Sequence, residues 1–211
     1  MIKHIIEKLD NHSQKLVGHT FDTSNLQQRG TADLIEKLCC DIITECKSDN
    51  MLVIPAKSRR SLEDIQVELD HITLKIDIKS RHMNSDFSMP NLVSTDVLER
   101  YYSKSDSNYL CYVFVDYTTD QNTTTIHSVN WKRIEEISWS NLGIENLGKG
   151  QIQLKNITNI KFIEANREAW MAQLCHQVDL YYIKLINKIE TQWMPKWKNN
   201  RWTKNTENEW W

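Results

Sequence analysis

Hydrophobic residues recur along the chain with two periods, and the period changes where structural elements should change. Spacings of three and four residues predict helices, and alternation predicts strands. The predicted helices cover residues 2–16, 30–46, 94–102 and 166–195, the last ending at Pro195. The predicted strands cover residues 52–54, 64–69, 72–79, 109–117, 125–131, 151–155 and 160–163. The predicted loops cover residues 19–30, 81–91 and 141–150. This order predicts an α/β (α+β) fold with a mixed or mainly antiparallel central sheet, flanking helices and a long C-terminal helix.

We expect one domain over residues 1–195, followed by a basic, tryptophan-rich tail over residues 196–211. The 211 residues are 40% hydrophobic and 26% charged, with a net charge of −2. Six basic residues and one acid lie between Lys184 and Lys204, a local charge of +5. Tryptophans at positions 193, 197, 202, 210 and 211 interleave with them. Such a pattern suits contact with a nucleic acid, or a solvated helix end whose tryptophans pack on the body.

Several functional classes find no support in the sequence. No apolar run approaches the ~18–20 residues that span a bilayer, and charges interrupt the N-terminus where a signal peptide is apolar, so we expect a cytoplasmic protein. Five cysteines (39, 40, 46, 111 and 175) form no CxxC pair and are predicted to be reduced core thiols. Seven histidines form no zinc motif, and neither a P-loop nor a GxSxG motif occurs.

Two consecutive strands place two aspartates and a lysine on one polar face. A two-residue turn at Asp70-His71 pairs residues whose numbers sum to 141, which puts every apolar side chain of the hairpin on one face. On the other face Asp64 then meets Asp77, with Lys79 two residues further on. Opposed carboxylates repel each other, and a divalent cation between them would remove the repulsion. A shift of the pairing by two residues stays open, because Asp-His is not a favoured hairpin turn.

This combination suits phosphodiester hydrolysis. Asp64, Asp77 and the Ile78 carbonyl would hold Mg²⁺ at the scissile phosphate, while Lys79 would orient or deprotonate water and offset developing charge. An acid-x-Lys triplet alone is not diagnostic, because Glu45-Cys46-Lys47 is a second one at a predicted helix end. The alternative is an exposed hairpin face with scattered charges.

The order of the surrounding motifs resembles the PD-(D/E)XK nucleases, and among them the type II restriction endonucleases of the HincII and HpaI type in the EcoRV-like group. Asp64 and Asp77-Ile78-Lys79 correspond to the catalytic signature, with Glu63 where a proline is usual. A polar loop and then Pro90-Asn91-Leu92 are similar to the loop and P-N-I step of those enzymes. Residues 34–38, 148–157 and 167–170 resemble further segments, so the likeness spans about residues 30–190.

The resemblance implies an enzyme of the prokaryotic cytoplasm that cuts double-stranded DNA with Mg²⁺, for which Mn²⁺ is a substitute. A palindromic site matches two-fold symmetry, so the resemblance implies a homodimer, with the N-terminal helices as the candidate contact, and blunt ends. It assigns Asp64, Asp77 and Lys79 to the catalytic site. Glu36 would approach from its helix as a supporting or second-metal carboxylate, unless it is a surface charge paired with a neighbouring lysine.

The resemblance also implies three groups of DNA contacts. Ser88, Met89 and Asn91 would lie near the bases, where Asn can pair bidentately with adenine, and Arg81 would also contact the DNA. The loop 141–150 would enter the major groove with Asn146 and Lys149, followed by Gln151 and Gln153. Phosphate contacts would come from Lys57, Arg59 and Arg60. The alternatives are a helix cap for Asn91, an ordinary strand start for the glutamines and a solvated loop for the basic residues.

Three other functions stay open. One is a PD-(D/E)XK nuclease without strict sequence specificity, of the repair type. Another is a non-catalytic DNA-binding protein whose acid pair is incidental. The third is an interaction domain that docks a protein through its tryptophan-rich tail.

Overall fold

The computed structural model describes residues 1–48, 50–58, 61–84, 91–145, 150–155 and 160–198, with residues 28 and 198 described by backbone alone. The helices are α1 (Ile2–Ser13), α2 (Gln28–Glu45), α3 (Thr95–Tyr102), α4 (Arg167–Lys188) and α5 (Met194–Lys198). The strands are β1 (Thr20–Asp22), β2 (Met51–Pro55), β3 (Ile65–Leu69), β4 (Ile72–His82), β5 (Asn91–Ser94), β6 (Asn108–Asp120), β7 (Thr123–Arg133), β8 (Leu142–Glu145) and β9 (Gln151–Leu154).

The strands form two sheets. The large sheet has the order β1-β7-β6-β4-β3-β2, and the small sheet has the order β5-β9-β8. In the large sheet β4 and β6 run parallel, while the other neighbours are antiparallel. The crossover between the two parallel strands carries β5 and α3, as a parallel pair requires a long connection. The prediction of a mixed sheet flanked by helices is therefore confirmed.

Each face of the large sheet has its own hydrophobic core. Strand β6 shows the division, because Val113 and Val115 point to one core and Tyr112 and Phe114 to the other. The first core is closed by α1 and α2, and the second by α3, α4 and the small sheet. Side chains on β3 and β4 that face the first core are therefore apolar, which leaves the opposite face for polar residues.

The register of the β3–β4 hairpin is the predicted one. Ile65 pairs with Ile76, Leu69 pairs with Ile72, and each pair sums to 141. Asp70 begins the turn with φ +53°, a conformation that aspartate tolerates better than most residues. The two-residue slip that the sequence left open does not occur.

Two strands lie in segments that are predicted as loops, and a third begins at the last residue of one. Strand β1 falls in residues 19–30, β5 at the end of residues 81–91, and β8 in residues 141–150. Each has only three or four residues, too few for alternation to be recognised. Conversely, the predicted strand at residues 160–163 is wrong: Phe162 makes an isolated bridge to Ile137, and the apolar side chains of Phe162 and Ile163 are about 40% exposed.

The last helix does not end at Pro195. Helix α4 passes into a π-helical turn at Ile189–Trp193, and α5 continues through Pro195 to Lys198. A proline inside a helix has no N–H to donate to the preceding turn, and a π turn is a common place for a helix to change its hydrogen-bonding register. The predicted boundary between residues 195 and 196 therefore falls within a helix, and the tail from residue 199 lies outside the described residues.

All five cysteines are free thiols, but they are not all core residues. Cys39, Cys46 and Cys111 are buried, Cys40 is half-buried, and Cys175 is exposed on α4. The prediction is thus wrong for Cys175. None of the described helices is both long and apolar enough to cross a membrane.

Ser94 caps helix α3, the role that had been the alternative for Asn91. Its side chain accepts a hydrogen bond of 3.2 Å from the Val97 N–H. We expect Ser94→Ala to lower the free energy of unfolding by about 1 kcal/mol, which corresponds to roughly 2–4 °C in a chain of this size. Thermal unfolding measured by circular dichroism checks this. Asn91→Ala is the comparison, and a larger loss in that variant would contradict the assignment of the cap.

Candidate active site

Asp64, Asp77 and Lys79 come together at one end of the β3–β4 hairpin. Asp64 immediately precedes β3, and its Oδ2 accepts a hydrogen bond of 2.6 Å from the Ile78 N–H. Asp77 and Lys79 are two residues apart on β4, and the Lys79 Nζ lies 2.7 Å from one Asp77 oxygen and 3.0 Å from the other. The three predicted catalytic side chains thus form one cluster on the polar face of the hairpin.

The Asp77 carboxyl is the buried member of this cluster, with 8% of the residue exposed. Burial raises the pKa of Asp77 to about 7, the nearby Lys79 charge lowers it, and the Asp64 carboxylate raises it again. Near neutral pH the group is therefore divided between its protonated and ionised forms. A cation placed between the two aspartates would favour the ionised form.

The ligands that these residues offer are oxygen atoms. The Ile78 N–H points toward Asp64, and in a strand the C=O of the same residue points to the same side. Two carboxylates and one carbonyl fit a hard divalent cation such as Mg²⁺, which completes its shell with water and substrate oxygens. Among the described residues no group of three or more His, Cys, Asp or Glu side chains lies close enough to hold a metal, so the protein's own share of a metal site would be this small set.

Glu36 lies on α2, on the helix face that approaches Asp64. Burial raises the pKa of the Cys40 thiol to about 12, and the charges of Asp64 and Glu36 raise it further. Both carboxylates therefore lie within electrostatic range of one thiol. The half-buried position of Glu36 is compatible with a supporting role, which stays a prediction.

Glu63, the residue just before Asp64, forms an ion pair. Its Oε2 lies 2.7 Å from the Lys75 Nζ, and both side chains are mostly buried. Lys75 also lies over the Tyr101 ring. The ion pair fixes the position of Glu63 beside Asp64, and the Glu63 carboxylate is neutralised by Lys75.

Tyr112 is a neighbour of the site that sequence reasoning placed only in a buried strand. It pairs with Asp77 in the β4–β6 ladder and is fully buried. Its hydroxyl has no hydrogen-bond partner among the described residues. Burial, followed by the Asp77 charge, raises the pKa of this phenol well above its usual range. A neutral phenol thus forms part of the low-dielectric wall behind Asp77.

A cavity of about 180 Å³ opens beside Lys79. It is lined by Lys79, Arg81, Phe114, Asp116, Asn130, Ile160 and Phe162. The Arg81 Nε donates a hydrogen bond of 2.7 Å to Asp116, which also accepts one from Ser128. Arg81, predicted as a DNA contact, is therefore held against β6 at the edge of this cavity.

A second polar surface lies on the small sheet. Asn91 pairs with Gln153 across β5 and β9, and the Gln153 amide donates a hydrogen bond to the Asn91 side chain. Gln151 projects from the same face, because residues two apart in a strand do so. The structure thus unites three of the predicted DNA contacts, Asn91, Gln151 and Gln153, on one exposed or half-exposed surface.

Of the remaining predicted DNA contacts, the structure describes only Lys57. Lys57 is exposed in the turn after β2, which is closed by a backbone hydrogen bond from Ala56 to Asp64, so the turn lies beside the aspartate cluster. The other predicted contacts, Arg59, Arg60, Ser88, Met89, Asn146 and Lys149, lie outside the described residues.

Comparison with known proteins identifies the fold of this chain but no relative of similar sequence. The chain matches no protein-family model and no curated protein. Among solved structures 75 chains match, and one is NlaIV restriction endonuclease, with a TM-score of 0.51, 11% identity, and coverage of 77% of this chain and 74% of that chain. This chain has a restriction-endonuclease-like fold. At 11% identity the likeness shows the fold alone, and a function belongs to the Asp64, Asp77 and Lys79 cluster and not to the fold.

Proposed function

We propose that this protein is a type II restriction endonuclease of the PD-(D/E)XK superfamily, similar to the HincII and HpaI type. The observation that carries the proposal is the convergence of Asp64, Asp77 and Lys79 within a restriction-endonuclease-like fold. The proposed reaction is Mg²⁺-dependent hydrolysis of double-stranded DNA at a short palindromic sequence, with blunt ends.

Each side chain of the cluster has a task that its position supports. The Ile78 N–H holds one Asp64 oxygen, so the other oxygen has a fixed direction. Burial of Asp77 keeps its carboxyl in a low-dielectric wall, where its charge acts strongly. Lys79 can turn one N–H toward the substrate while it remains beside Asp77, and there it orients the attacking water and stabilises charge that develops on the phosphoryl oxygens.

Asp64, Asp77 and the Ile78 carbonyl would hold the Mg²⁺ ion. When bound, Mg²⁺ supplies positive charge that polarises a phosphoryl oxygen and lowers the pKa of water. Glu36 is proposed as a supporting carboxylate that faces the same region from α2.

Digestion of a long DNA of mixed sequence tests the proposal. The protein is incubated with the DNA in EDTA, Mg²⁺ or Mn²⁺, and the products are separated on a gel and their ends sequenced. Discrete fragments that need the metal support the proposal, and the ends reveal the site and the cut position. A smear indicates a nuclease without sequence specificity. Intact DNA with both metals would exclude a nuclease and favour the non-catalytic DNA-binding protein.

The polar surface of the small sheet is the proposed site of base recognition. Asn91 and Gln153 hold each other's side chains in place, and amide groups match the hydrogen-bonding edge of adenine in the major groove. Gly150 precedes Gln151 with φ +105°, a conformation that favours glycine, and so sets the direction in which β9 starts.

We expect Gln153→Ala and Asn91→Ala each to reduce discrimination between the recognised sequence and a site with one changed base pair. The loss should be about 1–3 kcal/mol, or roughly 5- to 150-fold, because the amide pair would no longer be held. The measurement is the ratio of cleavage rates on two matched duplexes. Asn11→Ala, an exposed change on α1, serves as the control and should leave the ratio unaltered. Unchanged discrimination in both amide variants would exclude this surface as the reader of the sequence.

A further inference from the structure

The C-terminal helix packs on the body of the protein mainly through its first half. Helix α4, the π turn and α5 form one continuous rod over residues 167–198, roughly 48 Å long at ~1.5 Å per residue. Trp170, Leu174 and Tyr181 are buried against the second core. From residue 182 to residue 197 no side chain is buried. The distal half of the rod is therefore solvated, whereas helices usually depend on tertiary packing for most of their stability.

The distal half carries a stripe of large apolar side chains. They are Tyr182 (41% exposed), Ile183 (63%), Ile186 (53%), Trp193 (41%), Met194 (44%) and Trp197 (69%). Spacings of three, four and seven residues place them on one side of the helix. At about 200 Å² for a large side chain the stripe exposes roughly 600 Å², which is at the upper end for a single patch on a monomer.

We propose that this stripe is the surface through which two copies of the chain associate. The area supports this occupant, because a two-fold contact uses the same patch twice, and twice roughly 600 Å² reaches the ~1,200 Å² at which stable interfaces begin. The N-terminal helices offer less, since Ile5, Ile6, Leu9, Ile35 and Ile43 are buried in the first core. The choice of a second copy also rests on the proposed function, because a palindromic site calls for two active sites.

The position of the helix links association to recognition. A Cβ on Gly150 would lie 3.5 Å from the Tyr181 ring, so the rod packs against the residue that precedes Gln151. Tyr181 is the last buried residue before the stripe begins. Pairing of two rods would therefore fix the relative positions of the two small sheets, and with them the spacing of the two sets of base contacts.

The mass of the full chain in solution, measured without DNA, tests the inference. Light scattering after size exclusion at micromolar concentration should give twice the 25.0 kDa of one chain. The double variant Ile183→Glu/Ile186→Glu should raise the dissociation constant by at least about 30-fold and give the mass of a single chain. Val17→Glu is the control, because Val17 is 42% exposed and lies after α1. Its mass should equal that of the parent.

Each other outcome overturns the inference. A monomeric parent would exclude association, and a parent dimer that survives the double variant would place the contact elsewhere. Weaker binding of a DNA duplex by the double variant of a monomeric parent would assign the stripe to DNA. Cleavage is measured separately, so a dimer that does not cut DNA refutes the proposed function alone, and a monomer that cuts DNA refutes this inference alone.

Discussion

Replacement of Lys79 by alanine is expected to slow DNA cleavage by about 10²- to 10⁴-fold, the range for loss of a positioned acid–base or charge-stabilising group. The Lys79 ammonium lies 2.7 Å from Asp77 and is only about a quarter exposed, so a solvent ion does not readily take its place. Single-turnover cleavage of a short duplex containing the site measures the effect. Binding of the same duplex should change much less, because one phosphate-proximal charge contributes a small part of the affinity.

The chain contains its own control for this experiment. Glu45-Cys46-Lys47 repeats the acid-x-Lys spacing, but it lies at the end of α2, where Lys47 is exposed. The Lys47→Ala variant should therefore cleave DNA at the same rate as the parent protein. Lys79→Arg separates two roles of the lysine, because arginine keeps the charge but does not deprotonate. Equal rates in Lys79→Ala and the parent would remove Lys79 from the mechanism.

The hairpin could be predicted from the sequence because its pattern leaves little freedom. Seven apolar residues alternate over two strands, and a slip by one residue would expose all of them. This alternation by itself requires Asp64, Asp77 and Lys79 to share the polar face of the hairpin. The signal was local, and the contacts that confirm it are also local, such as the Ile78 N–H to Asp64 hydrogen bond.

The burial of Asp77 could not be predicted from the same local pattern. Asp77 is buried because the parallel strand β6 places Tyr112 beside it, and the pairing of strands separated by a helix is not visible in local periodicity. The small sheet was missed for a similar reason. Its strands β5 and β8 have four residues each, and β5 acquires a partner only when β9 arrives some 60 residues later in the chain.

For the C-terminal rod, the sequence predicts the helix but not which of its sides is covered by the body. The sequence predicted one apolar stripe through Trp170, Leu174, Val178, Tyr181, Leu185 and Ile189, which is the stripe that faces the body over its first half. A second apolar stripe, centred on Ile183 and Ile186, lies on another side of the same helix. A pattern with apolar residues on two sides predicts a helix equally well and does not reveal which side the body covers.

Asp77→Asn is expected to stabilise the metal-free protein at neutral and alkaline pH while it abolishes cleavage. The sign follows from the pKa of Asp77, which burial raises from 3.8 to about 7 in the folded chain. The folded state therefore prefers the protonated carboxyl, and stability that is present below pH 3.8 is lost as the pH rises through about 7. Asparagine remains neutral throughout and avoids this loss.

The difference in free energy of unfolding between variant and parent should be near zero in acid. It should then grow by about 1.4 kcal/mol per pH unit and level off at roughly 4 kcal/mol above neutral pH. Urea unfolding in EDTA between pH 4 and pH 8 measures it. Asp33→Asn is the control for the loss of one carboxyl group, since Asp33 is exposed on α2.

Addition of Mg²⁺ completes the argument. An ion that binds the folded state raises its stability, and it binds best where Asp77 is ionised, so the parent should gain more at pH 8 than at pH 5. The Asp77→Asn variant should gain little at either pH. A parent whose stability relative to this variant is the same at pH 4 and pH 8 would show that Asp77 ionises without penalty. The folded state would then not prefer the protonated carboxyl, and Asp77→Asn would give no stabilisation at neutral pH.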